Sequence, residues 1–196
     1  MNNQALLKTS IKYGTILGLG NFIIFLIVYF MGKNPLGNWS WIGVWIVILL
    51  IILGTKEHRD KDLGGFMTYG RGLGIGMLIT ILGGLLFCVI MVSFGQFIDA
   101  SIPQMQIDEF YAGMEKMKSL LSQEQYDKIM VTFEMTKDKF TMPQIALSNF
   151  EIKLVGGLII SLITAGVFMR RRIFYDDLNT PSSPTPPAPP TNDNLG

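Results

Sequence analysis

Glu57, His58, Asp60 and Asp62 crowd one short stretch of this chain, and carboxylates beside an imidazole are the groups that ligate a divalent cation. Lys56, Arg59 and Lys61 are interleaved with them, there is a single histidine, and no cysteine is near. Cations at that spacing oppose a second positive charge, so a solvated loop is expected there. Cys88 is the one cysteine, which excludes an intramolecular disulfide. It sits inside an apolar run, where a thiolate is costly, and its one candidate histidine partner, His58, belongs to the charged loop. Gly70, Gly72, Gly74 and Gly76 have the rhythm of a phosphate-binding loop, but they lead into an apolar helix and follow no strand. No H-E-x-x-H and no paired intramembrane carboxylates occur. The expectation is a protein that is not an enzyme and that uses no metal or cofactor.

Polar groups within the apolar runs are few, Asn21, Thr80, Ser93, Ser161 and Thr164 among them, with no Asp, Glu, Lys, Arg or His. Ion-coupled carriers place ionisable groups at that depth, so their absence argues against a pump. Asn21 is expected to make an interhelical hydrogen bond. Thr68, Gly72, Gly76, Thr80, Gly84 and Cys88 recur every fourth residue. They lay a stripe of small side chains along one helical face, where another backbone can approach closely. Gly14 and Gly18 repeat the pattern early in the chain, and Gly157, Ser161 and Ala165 late. The stripe is expected to pack a helix bundle, with a self-association face or a substrate groove as the alternative use.

The elements that would hold these residues are apolar runs at Tyr13–Met31, Trp41–Gly54, Leu73–Phe97 and Leu154–Met169, none with a formal charge. The longest reach the ~20 residues needed to cross a hydrocarbon core. Barrel-type alternation is missing, and backbone amides in lipid need internal partners, so each run is read as a helix. The expected fold class is an all-α membrane protein with four transmembrane helices, at about 13–31, 39–55, 72–97 and 152–170. The two shorter runs need flanking turns to span, with Trp39 and Trp41 at one interface and Lys153 snorkelling at the start of the fourth. The first run ends without a small-x-small cleavage pattern, so it reads as a retained helix and not a removable signal. A net charge of only +1 gives no reason to expect nucleic acid.

Four crossings put both termini on one side. Lys8, Lys12, the Lys56–Arg71 connection and Arg170–Arg172 give that side nine Lys/Arg against seven on the other. Six of those seven lie in the 56-residue connection Ile98–Lys153, long enough to translocate largely regardless of charge. Both termini are therefore expected in the cytoplasm. The long connection carries two stripes at helical spacing, Ile107, Phe110, Tyr111, Met114, Met117, Leu121 and then Tyr126, Ile129, Met130, Phe133, Phe140. Ser122 with Gln125 fits a capping box for the second. An extramembrane helical hairpin at about 105–140 follows, with Pro143 marking its end. Residues 176–196 are proline-rich and poor in apolar groups, the composition of a disordered tail. Lys56, Arg59, Lys61, Arg71, Arg170, Arg171 and Arg172 are the candidate contacts to anionic headgroups.

Lys56-Glu-His-Arg-Asp-Lys-Asp-Leu-Gly-Gly-Phe-Met-Thr-Tyr-Gly70, followed by a glycine-bearing span, resembles the uncharacterised bacterial membrane family catalogued as domain of unknown function 4199. The resemblance covers roughly Leu6–Tyr175. It implies a Bacteroidota-type inner-membrane protein with the hairpin in the periplasm, and it brings no activity and no site residues. The expected function is protein binding, as a scaffold or accessory component of the cell envelope, with Phe110, Met114, Met117, Ile129 and Phe133 as candidate partner-binding residues. Such Met-rich apolar faces can repack against a membrane or periplasmic partner. The alternative is a small transporter or channel-forming subunit, a homo-oligomer built through the glycine stripe with Asn21, Thr80 and Ser93 along its path.

Overall fold

A computed structural model describes residues 3–170, and among them the chain forms helices and no strand. The helices are α1 (Asn3–Phe30), α2 (Ile42–Glu57), α3 (Tyr69–Phe97), α4 (Ile102–Met117), α5 (Gln123–Thr136) and α6 (Met142–Phe168). A 3-10 turn over Asn38–Trp41 leads into α2, and a wider π turn over His58–Asp62 leaves it. Four segments are long and apolar enough to cross a membrane: Gln4–Phe30, Asn38–Asp62, Tyr69–Phe97 and Met142–Phe168. These are compatible with a multi-pass membrane protein. The proline-rich tail, 176–196, lies outside the described residues, as do Arg171 and Arg172.

The helices begin earlier than the apolar runs. α1 starts at Asn3 and carries Lys8 and Lys12 within it, and α6 starts at Met142, ten residues ahead of the expected 152. The physical reason is that a helix continues wherever its backbone bonds are unbroken, whatever the side chains. Thr141 stands in extended conformation as the N-cap and Pro143 falls in the first turn, the place where a missing N–H costs nothing. Pro143 thus opens α6. The capping box at α5 forms as expected: the Ser122 hydroxyl accepts from the Gln125 N–H, and the Gln125 side chain accepts from the Ser122 N–H.

α3 is the central helix. Its small-residue stripe lies against α6: a Cβ added at Gly76 would stand 2.8 Å from Ser161 Cβ, one at Gly72 would stand 3.0 Å from Ala165 Cα, and one at Gly157 would stand 2.8 Å from Thr80 Cβ. Gly84 meets the Phe150 ring in the same way. A second face of α3 takes α1, where Gly14 and Gly18 approach Leu82, Gly83 and Leu86. The stripe is therefore packed within the chain, as a helix-bundle face.

Two core clusters stack along the bundle. One joins all four long segments through Leu17, Val47, Leu50, Ile51, Ile75 and Ile79, with Ile160 packed against it. The other holds Phe25, Phe87, Met91, Phe94, Met142 and Ile145, with Leu36 and Ile102, and contains no residue of α2. The α-helical part of α2 has 16 residues, and the 3-10 and π turns at its ends extend the segment to 25 residues, against 28, 29 and 27 for α1, α3 and α6. Outward faces are apolar: Ile16, Leu19, Ile23, Ile27 and Phe30 on α1, Trp45, Leu49 and Leu53 on α2, Val155, Ile159, Ile163 and Val167 on α6. Exposed apolar stripes at that spacing suit a lipid surround better than water.

A chamber beneath α4 and α5

Beside the 3-10 turn that opens α2, the bundle is not filled by side chains. A cavity of about 770 Å³ lies there, floored by Asn21, Phe25, Gly43 and Phe87, walled by Gln144 to Lys153 of α6, and roofed by Phe110 of α4, Phe133 of α5 and Phe140. The roof is built by aromatic stacking. The Phe110 and Phe133 rings stand 3.6 Å apart and near parallel, Phe140 meets Phe133 edge-on, and the Tyr111 hydroxyl donates to Glu134 on α5. That bond pushes the Tyr111 hydroxyl pKa up, and the Lys137 ammonium together with Tyr111 holds the Glu134 carboxyl below its ordinary range.

A polar clasp ties α4 to the segment that follows α1. Asn34 Nδ2 donates to Glu109 Oε2 at 2.5 Å, the Asn38 backbone N–H donates to Glu109 Oε1 at 3.1 Å, and Gln106 Nε2 donates to Asn34 Oδ1 at 3.2 Å. Gly37 leaves room for the Glu109 carboxylate, which a Cβ there would strike. Tyr29 adds a hydrogen bond to Asp99 at 2.7 Å, tying the end of α1 to the α3–α4 connection.

Lys153 is one of three charged residues of the chamber lining, with Glu109 and Lys139. It lies about 16 Å along α6 from Met142. Its ammonium stands 3.5 Å from the centroid of the Phe87 ring, and among the described residues no carboxylate oxygen lies within 4.0 Å of it. The sequence suggests a snorkelling lysine at a span end; the early start of α6 places it inside the helix instead. The Thr141-Met142-Pro143 signal, with no breaker before Lys153, is what could have revealed this. Glu109 and Asn34 gave no such signal, because 75 residues separate them.

The other expected site residues are distributed as follows. Phe110, Met114 and Phe133 pack within the chain, while Met117 and Ile129 remain 47% and 38% exposed. Asn21 donates to the Leu17 carbonyl of its own helix at 3.0 Å, so its expected interhelical hydrogen bond is not made; its Oδ1 faces Gly43 of α2 instead. Thr80 is buried against Gly157 and donates to the Gly76 carbonyl, and Ser93 points outward and donates to the Val89 carbonyl. Asn21, Thr80 and Ser93 thus line no common path.

At the opposite end of the bundle, the stretch expected to be a solvated loop is helical and partly buried. His58 is 1% exposed and its Nδ1 lies 2.8 Å from Asp62 Oδ2, while the Thr9 hydroxyl donates to the same oxygen. Glu57 accepts from Lys12, Lys61 and the Tyr13 hydroxyl. Arg59 pairs with Asp60 at 2.7 Å and lies over the Phe168 ring, so this candidate headgroup contact is turned inward. Lys56 and Lys61 are exposed and Arg71 is half-buried; Arg170 exchanges backbone hydrogen bonds with Met67. The cause of the difference is that α2 continues past its apolar run and presses these side chains against α1. The ring of carboxylates is spent on hydroxyls and cations of α1 and α2, and no three His, Cys, Asp or Glu converge among the described residues.

A sequence model of the family described as "Protein of unknown function (DUF4199)" matches residues 12–170. No curated protein and no solved structure gives a match.

Proposed function

The chain belongs to this family of unknown function, and we propose that it works by binding, as a multi-pass membrane protein whose site is the chamber roofed by α4 and α5. The observation that supports this most is the chamber itself: its volume of about 770 Å³ falls in the range of small-molecule sites, and its lining combines apolar rings and aliphatic side chains with amides, hydroxyls and charged groups.

The proposal includes a location. The protein sits in a bacterial inner membrane of the Bacteroidota type, with both termini cytoplasmic and α4–α5 forming an extramembrane hairpin on the periplasmic side. The excess of Lys/Arg on the terminal side supports the orientation. A second reading, an envelope scaffold that docks another protein on α4 and α5, draws support from Leu120 and Met135, which are 80% and 75% exposed. The transporter reading loses its support with the scattered Asn21, Thr80 and Ser93.

Native mass spectrometry of the full chain, released from its own membranes, tests the binding reading. The expected result is a small molecule retained on the wild type and lost from Ser148→Trp, which plugs the chamber wall. A wild type that carries nothing, with the same mass behaviour as a folded Ser148→Trp variant, would contradict it.

A further inference from the structure

The chamber has a chemistry of its own, and the inference drawn from it rests on the binding reading above. We propose that its occupant is a single-chain amphiphile with an anionic head, entering sideways from the lipid and placing the head at Lys153.

Charge complementarity carries the argument. Two charged side chains of the lining, Glu109 and Lys153, are half-buried, and they are in different states. Glu109 has both carboxylate oxygens engaged, one by Asn34 and one by the Asn38 N–H. Lys153 has the Phe87 ring on one side and no carboxylate partner among the described residues. An ammonium taken from water into an apolar surround and left unpaired is costly, and an anion beside it removes most of that cost. Asn21 and Asn149 flank the same space, each with one amide N–H spent on its own helix and a second available to an anionic oxygen. Lys139 also lines the chamber, with its side chain open to solvent, so it adds positive potential without competing for the half-buried position.

Shape supplies the rest. Ile24, Phe25, Val44, Phe110, Phe133 and Phe140 give a continuous apolar lining for a chain. Trp41 and Ile152 border the chamber and are 71% and 72% exposed, so its wall between α2 and α6 gives onto the outer apolar surface. On the α1–α3 side that apolar surface continues up to Phe30 and Phe97, beyond the level of Phe87. The chamber therefore lies within the depth that lipid would cover. Its volume of about 770 Å³ suits one chain and a compact head; ligands of drug size fill sites of about 300–1,000 Å³.

Equilibrium binding of labelled oleate, oleyl alcohol and acetate to the purified full chain, in a neutral maltoside detergent, separates head from tail. The expected result is one oleate per chain, oleyl alcohol weaker by about tenfold or more, and no retained acetate. Lys153→Gln should weaken oleate by about tenfold and leave oleyl alcohol unchanged, while Lys153→Arg retains oleate and shows that the fold tolerates change there. Equal binding of oleate and the alcohol, indifferent to Lys153→Gln, would overturn the anionic-head assignment and leave the chamber standing as a binding site. Displacement of oleate by two-chain phosphatidylglycerol at equal concentration would overturn the single-chain assignment. Failure of every probe, with Ser148→Trp behaving as wild type, would overturn both this inference and the binding reading.

Discussion

At the scale of single residues, the glycines of α3 divide by what stands opposite them. Gly76 faces Ser161 so closely that a methyl group would reach 2.8 Å from its Cβ, whereas Gly74, two residues earlier, has nothing within 4 Å. Gly76→Ala should therefore lower stability by about 2 kcal/mol through overpacking of α3 against α6. Gly74→Ala should be neutral or stabilising by up to about 1 kcal/mol, since alanine favours helix. Thermal unfolding of the two variants in one detergent measures the contrast, and equal effects would contradict the packing described. Lys153 shows the opposite kind of position, a residue whose meaning comes from what is missing beside it. Half-buried in the α6 wall and without a carboxylate within 4.0 Å among the described residues, it gives the chamber a positive charge that packing alone does not require.

At the scale of elements, the chamber is bounded by the turn that opens α2 and by α4, which Asn34, Asn38 and Gln106 around Glu109 tie to the segment after α1. Removing the carboxylate with Glu109→Ala leaves the Asn34 amide and the Asn38 N–H without their acceptor, at a cost of about 2 kcal/mol. Hydrogen exchange should then speed up over residues 34–41 and 102–110 while the α3–α6 core stays protected; unchanged exchange in both segments would show that the clasp holds nothing. Much of this architecture was readable beforehand. Apolar blocks located the four long segments, the i+4 glycines identified the packing face of α3, and Ser122 with Gln125 marked the start of α5. The extents of α1 and α6 were not readable from hydropathy, because Lys8, Lys12 and Lys153 interrupt the apolar pattern inside helices whose backbone continues unchanged. The clasp was hidden for a different reason: its partners lie 71 to 75 residues apart and leave no periodic trace. The burial of His58 likewise depends on α1 lying beside the end of α2, a fact of tertiary contact and not of local composition.

At the scale of the whole molecule, an apolar exterior on four long helical segments, small residues where those segments meet and one amphipathic chamber are compatible with the proposed multi-pass membrane protein that works by binding. Orientation is open to direct measurement. In a Cys88→Ser background, a membrane-impermeant thiol reagent applied to intact cells should modify Ser119→Cys and miss Ser183→Cys; the reverse would invert the topology. The central claim, that the chamber is the working site and takes a small molecule, is tested most directly by photo-cross-linking in native membranes. A benzophenone side chain introduced at Ser148, on the chamber wall, should yield on irradiation a chain whose mass is raised by one small amphiphile. An adduct to a peptide of another protein, or none beyond solvent quenching in well-folded protein, would contradict the account and shift the function to the outer faces of α4 and α5.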